Sequence, residues 1–352
     1  MARNNRAPPP VAVLRGHLSP VNTVCFVPSR PITPNDDVAS LSSVAPRSLL
    51  SGSADGMLKV WDLTTRREAS SAVQAHSKAG ILHATTQGPI IVSQGRDGLV
   101  KWWDVVDGGG MRESRTLAIG SYTFTKAHVV DSNLLLVPTE HAETVALFDV
   151  RTSGTHPAMI FEGSPIKSGM CMSLTSMPVS DQTVACVGFE GGVVALYDFR
   201  LAAPPLLSHA VSTSTGIKCA QSILLLCMDA VCMSSTLLCG TSGDDLVALR
   251  VHPDTTATAD SFYRSKQPGI SAIANRSVDD RIFATAGWDH RVRIFHKRGK
   301  PLATLKYHTE SVYSVGFSHD GDWLASASKD HKIALWSVYP PSFSSTSSTS
   351  ST

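Results

Sequence analysis

The chain lacks most of the features that would assign it to a chemistry at sight. No apolar run approaches the roughly 20 residues a membrane-spanning helix needs, so no membrane segment is expected. The opening MARNNRAPPP carries no apolar stretch after its arginines, which speaks against a secretory leader. Neither sign of charge prevails. The 31 Lys and Arg against 29 Asp and Glu give a formal net charge of +2, too little for a general pull toward nucleic acid or an anionic membrane. No GxxxxGK[ST] or GxGxxG string opens a helix, and HExxH and GxSxG are absent. Cys219, Cys227, Cys232 and Cys239 cluster, but at intervals unlike the short paired-Cys patterns of structural zinc. No catalytic, cofactor-binding or metal-ligating residues are therefore expected, and the chain reads as a non-enzyme. The seven cysteines are an odd number in apolar strings such as VACVGF and LLLCMDAVCM. They read as buried free thiols in a reducing compartment. With 42% hydrophobic and 17% charged residues, the bulk of the chain has the balance of a globular protein and not of a disordered one.

What the chain has is internal repetition. The segments GSADGMLKVWDL (52–63), GRDGLVKWWDV (95–105) and SKDHKIALWSV (328–338) each hold an Asp and, six positions on, a Trp. The pairs are Asp55/Trp61, Asp97/Trp103 and Asp330/Trp336, and AGWDHRVRIFH (286–296) fits with Asp289 and Phe295. Weaker copies lie at 141–150, 190–199 and 242–251, placing anchors at 61, 103, 148, 197, 250, 295 and 336. Seven units at this spacing mark a repeat architecture. Within a unit the period is two. Leu58 to Leu63 alternate apolar and polar, as a strand with one buried face requires. Ala54-Asp55-Gly56 is hairpin-turn chemistry, and apolar strands at 48–53 and 21–26 precede it. No long amphipathic helix is legible. The fold class is all-β, and four antiparallel strands repeated seven times predict blades around an axis, which leaves only short, protected edges.

Gly16-His17, Trp61-Asp62, Ala75-His76, Trp103-Asp104 and His308 with Trp336 resemble the signature of a seven-bladed WD-repeat β-propeller over residues 11–339. The stretches LRGHLSPVNTVCF (14–26), SQGRDGLVKWWD (93–104), ATAGWDHRVRIFH (284–296) and SASKDHKIALWSVYP (326–340) are similar to the family of the ASTRA-associated WD-repeat protein and the G-protein β-subunit-like protein 1. The resemblance implies buried hydrogen-bonded tetrads of His, strand Ser or Thr, turn Asp and Trp. In the first unit these are His17, Ser53 or Ser51, Asp55 and Trp61. Elsewhere the matching positions are His76, Asp97 and Trp103, Asp289, and His308, Asp330 and Trp336. Recurrence across units suits architecture and not a Ser-His-Asp active site. The middle units break the pattern, with Ala142 and Gly191 at the turn and Arg250 at the Trp position.

The propeller is expected over 11–340, after a flexible 1–10. A Pro- and Ser-rich insertion is expected at 28–47, a second polar insertion at 252–268, and a disordered Ser/Thr tail at 341–352. Val11-Ala12-Val13-Leu14 is expected to complete the last blade, which otherwise has three strands.

Propellers of this kind bind partners on the narrow face, which places Arg96, Trp288 and Lys329, with Tyr313 at the channel mouth, as partner-binding candidates. A basic run from Arg291 through Arg293 to Lys306 is a further candidate, against the plainer reading of a solvated strand. The resemblance implies a scaffold for protein partners, namely the TTT co-chaperone machinery and subunits related to the phosphatidylinositol-3-kinase-related kinases. It also implies an association with chromatin and a place in nucleus and cytoplasm. The expected form is a monomeric propeller within a larger complex, with no direct nucleic-acid contact. A heterotrimeric G-protein β subunit is excluded, because only about ten Pro-rich residues precede the first strand, where that class needs a coiled-coil helix. The alternative is a substrate receptor of a cullin ubiquitin ligase, on the likeness of Phe148-Asp149-Val150-Arg151 and Tyr197-Asp198-Phe199-Arg200 to its Trp-Asp-x-Arg signature.

Overall fold

The computed structural model describes residues 8–28, 47–72, 74–87, 90–106, 110–152, 156–163, 169–180, 182–201, 205–211, 225–231, 235–254, 256–265 and 267–338. Among these residues the chain forms 28 β-strands and one short 3-10 turn, Ser77–Ala79. Expectations for 1–7, for 29–46 within the proposed first insertion and for 339–352 fall outside the described residues.

The strands make seven four-stranded antiparallel blades. Blade one runs outward through Val21–Val27, Ser48–Ser53, Leu58–Asp62 and Arg67–Ala72. Five blades are separate sheets, while blades one and two join through a single parallel bridge between Ser71 and Gly110. The last blade takes its outermost strand from the other end of the chain. Ala12–Arg15 pairs antiparallel with Lys332–Ser337, from Ala12 opposite Leu335 to Arg15 opposite Lys332. A mainchain bond from Val11 to Leu335 at 2.8 Å extends the seam.

The apolar residues fall into seven clusters, one between each pair of neighbouring blades. Between blades six and seven, for example, Ala284, Ile294 and Leu305 meet Val315, Leu324 and Trp336. Each fully buried leucine or isoleucine in such an interface is worth about 1.5–3 kcal/mol, so stability resides in nearest-neighbour contacts around the ring. This arrangement also explains why strict alternation fails in the third strands. Each blade is covered on both faces, and Leu58, Lys59, Val60 and Trp61 are all buried. Lys59 is accommodated because its ammonium reaches the Gly16 carbonyl at 3.1 Å and Glu68 at 2.6 Å.

Two expectations are corrected. The polar stretch 252–268 is not an insertion outside the repeat, because Ala257–Arg264 is the outermost strand of blade five, paired with Asp245–Val251. An outermost strand borders solvent along one edge, so its polar composition is compatible with pairing. Arg250 does not hold the Trp position of blade five. Trp61 stands opposite Leu49 and Lys59 opposite Ser51, and the same register in blade five puts Leu249 opposite Leu237 and Val247 opposite Cys239. Leu249 is therefore the buried anchor. Arg250 points to solvent and pairs with Asp260 at 3.0 Å.

Among the described cysteines, Cys25, Cys171, Cys186, Cys227 and Cys239 are free thiols. Cys219 and Cys232 lie outside the described residues. No helix among the described residues is long and apolar enough to cross a membrane.

Candidate functional site

The tetrad residues hold the Asp turns at the ends of the blades. In blade two, His76 Nδ1 lies 3.0 Å from Asp97 Oδ1, His76 Nε2 lies 2.7 Å from Ser93 Oγ, and Trp103 Nε1 donates to the same Oγ at 2.8 Å. The carboxylate can only accept, so the imidazole proton sits on Nδ1. Nε2 then accepts from the Ser93 hydroxyl, whose oxygen accepts from the indole. Burial lowers the pKa of His76 and keeps it neutral, which completes a fully satisfied network. A Cβ at Gly95 would collide with the His76 ring and with Asp97, so this packing requires glycine there. Blade seven repeats the set with His308, Asp330, Ser326 and Trp336 at 3.0, 2.9 and 3.1 Å. Although Ser, His and Asp stand in line as in a hydrolase, Ser93 is 0% exposed and already held by Trp103. No substrate reaches it.

Blades one and six depart from this scheme. In blade one the serine is Ser51, which meets His17 Nε2 at 2.7 Å and accepts from Trp61 Nε1 at 2.7 Å. Ser53 instead donates to Asp55 at 2.5 Å, and His17 Nδ1 has no hydrogen-bond partner. Burial first, and then the Lys59 charge, lowers the His17 pKa to about 4. In blade six Phe295 takes the Trp position, stacked on Phe283 at 5.2 Å. Asp289 is answered by Arg293, through Nη1 to Oδ1 at 3.0 Å and Nη2 to Oδ2. Arg293 sits at the register position of Lys59, opposite Thr285 as Lys59 is opposite Ser51. It is thus an internal ion-pair residue and not an exposed partner-binding cation. In all four blades the turn Asp also accepts the amide two residues on (Met57, Leu99, Arg291 and Lys332), which fixes the turn.

The turns so fixed carry Arg96, Trp288 and Lys329, each one residue before its Asp. At the axis lies a mouth of about 460 Å³ to which every blade contributes, from Asn22 in blade one to Tyr313 in blade seven. Arg96, Trp288 and Tyr313 line it together. Lys329 and Arg291 do not. Lys329 is exposed and reaches Glu310 at 3.8 Å, and Arg291 pairs along its strand with Lys306. Trp288 is 41% exposed, with its indole lying over Gly269. Gly269 has φ +93°, and a Cβ there would collide with the ring. Beside Trp288 in exposure stand Tyr122 and Phe124 in the loop before blade three, at 75% and 61%, and Leu18 just before Pro20 of the mouth, at 84%.

Sequence reasoning missed Phe124 and Lys126. Phe124 packs under the Arg96 guanidinium at 5.2 Å. The string SYTF, two aromatics among small polar residues, was a legible signal for it. Nothing local marks Lys126, which lines both the mouth and the axial channel below, a space of about 380 Å³. Burial lowers its pKa. At the ends of the third strands of blades three and four, Asp149 and Asp198 close onto Arg151 and Arg200 through paired bonds at 2.5–3.2 Å, which leaves both guanidinium groups mostly exposed. Among the described residues, no group of three His, Cys, Asp or Glu side chains could hold a metal ion.

Seven four-stranded blades, two of them holding complete His–Ser–Asp–Trp networks, define a WD-repeat β-propeller. The profile of the WD domain, G-beta repeat family matches residues 8–62 and 299–337. Similar full-length proteins include the guanine nucleotide-binding protein subunit beta-like protein 1 of Mus musculus, 30% identical over 343 residues that span 95% of this chain and 97% of the relative. ASTRA-associated protein 1 of Schizosaccharomyces pombe is 26% identical over 388 residues, 94% of this chain and 99% of the relative. Its counterpart in Verticillium alfalfae is 25% identical over 406 residues, 94% and 93%. The chain belongs to the WD-repeat family of these proteins. WD domains mediate protein–protein interaction, and several relatives carry names that mark them as associated proteins.

Proposed function

We propose that this propeller is a non-enzymatic scaffold of the ASTRA-associated type, which uses the face bearing the Asp turns to hold protein partners. On this reading it works with co-chaperone subunits that mature the phosphatidylinositol-3-kinase-related kinases, and in chromatin-linked assemblies, in nucleus and cytoplasm. The observation that carries it is the mouth of the axial channel, where Trp288, Phe124 and Arg96 stand exposed together on a rigid ring. Trp and Arg are the side chains most enriched at binding hot spots. The full-length likeness to proteins named ASTRA-associated supports the choice of partner class.

Affinity purification with mass spectrometry, run on wild type beside Trp288→Ala, tests it. Kinase co-chaperone subunits should be recovered by wild type and lost with Trp288→Ala, since a hot-spot Trp carries about 2 kcal/mol or more of binding. The variant should melt near wild type, because the indole is half-exposed and its loss costs about 1 kcal/mol. Recovery of cullin-ligase adaptors in their place would move the assignment to the Asp149–Arg151 and Asp198–Arg200 strand ends.

A further inference from the structure

The mouth of the channel has a composition that narrows what can enter it. Its walls are mostly apolar or aromatic, with Leu82, Phe124, Met172, Leu226 and Trp288 among them beside the polar Asn22 and Ser271, and among the described residues its only charged side chains are Arg96 and Lys126. Among the described residues no carboxylate lines it. Arg96 is exposed at the rim, over the Phe124 ring. Lys126 sits deeper, where mouth and channel meet, and among the described residues no Asp or Glu forms an ion pair with it. The acid of the channel, Asp229, lies two residues further along its strand than Cys227 and is engaged by the amides of Asn275 at 2.6 Å and Ala230 at 2.9 Å. The other titratable groups on this stretch of wall are His83 and His128, which burial keeps neutral, and Cys25 and Cys227, whose thiols burial keeps protonated, so none of them supplies a negative charge. A half-buried ammonium without an acidic partner is costly, and an entering anion would relieve that cost.

We propose that the mouth is a carboxylate-receiving subsite, which takes an Asp or Glu side chain of a protein partner between Arg96 and Lys126, with apolar neighbours of that residue packed on Phe124 and Trp288. This rests on the scaffold reading above and specifies the partner's chemistry. The two oxygens of a carboxylate can take one cation each, the guanidinium at the rim and the ammonium below it, in a lining that is otherwise mostly apolar. A phosphoryl group, with about two charges, is the competing anion, and the phosphoserine arm of the test separates the two. The exposed Leu18, Tyr122 and Phe124 beside the mouth favour a segment in which the acid is flanked by aliphatic or aromatic residues.

The test uses the 352-residue chain and an immobilised library of nine-residue peptides. The central residue is fixed as Glu, Gln, Lys or phosphoserine, and the flanks are random. Glu-centred peptides with apolar flanks should be enriched. The best of them, measured by fluorescence anisotropy, should lose at least tenfold in affinity when its Glu becomes Gln. Lys126→Met should abolish that Glu/Gln discrimination. Arg96→Ala, at an exposed loop position that leaves the fold intact, should weaken the Glu peptide several-fold and flatten its salt dependence. The proposal is overturned if no acidic peptide is selected, if Glu and Gln peptides bind within twofold, if phosphoserine outbinds Glu tenfold, or if both variants keep full discrimination. Should the peptides fail while Trp288→Ala still loses its protein partners, the face remains the binding surface and only the carboxylate subsite is lost.

Discussion

The two serines of blade one separate what holds the propeller from what merely decorates its turns. Ser51 Oγ is the junction of two buried groups, His17 Nε2 and Trp61 Nε1, each 2.7 Å away. Ser51→Ala strands both. An orphaned buried polar group costs about 1–3 kcal/mol, so the pair should cost about 2–6 kcal/mol. His17 has no second bond to fall back on, because its Nδ1 is unpartnered. Ser53→Ala removes a bond to Asp55, but that carboxylate keeps the Met57 amide at 3.3 Å and is half-buried, where water can replace the hydroxyl. Its cost should be about 1 kcal/mol. The assay is equilibrium urea unfolding followed by tryptophan fluorescence, with hydrogen exchange to locate the damage. Protection should fall first in blades one, seven and two, since blades touch only neighbours. A Ser53→Ala variant as unstable as Ser51→Ala, or more so, would refute the assignment of Ser51 as the junction. Blade five shows the converse solution. Cys239 and Leu249 stand in the serine and tryptophan positions, buried side chains that pack there without a Ser–Trp hydrogen bond.

Other outcomes follow from the same geometry. Removing residues 1–15 deletes the strand paired to Lys332–Ser337 and bares a sheet edge, so size-exclusion chromatography should show aggregates while retention of a monomeric melt would mean another closure. Stability should fall as pH drops from about 6.5 toward 4. The folded pKa of His17 is lowered to about 4 and that of His83 to about 3, so the unfolded chain binds protons that the folded chain refuses; stability is full above 6.5 and lost on the way down. His17 alone accounts for about 3 kcal/mol of that loss, and His17→Gln should flatten the pH dependence of the urea midpoint. Gly269→Ala should displace the Trp288 indole and reduce partner recovery as Trp288→Ala does, while Gly243→Ala, which meets open space apart from Thr241 at 3.5 Å, should leave it unchanged. If Gly269→Ala binds normally, the indole position is not what the partner reads.

The repeat was legible because each unit must solve the same local problem. A tight turn needs Asp beside a small residue, and a strand buried in the blade needs an aromatic anchor six positions later, so Asp55/Trp61, Asp97/Trp103 and Asp330/Trp336 announce seven blades without any tertiary knowledge. Even so, local pattern could not choose between Ser51 and Ser53, because both lie in one strand with the same facing period and only the approach of His17 across the blade selects Ser51. It misjudged Arg293, since nothing in RVRIF reveals that blade six lacks a histidine and that the guanidinium must answer Asp289. It placed blade five one residue late, because Leu249 and Arg250 are told apart only by pairing register. Lys126 carried no signal at all. Its significance arises where seven inner strands converge on one axis, and convergence of residues from positions 22 to 313 is a property of the closed ring and not of any segment within it.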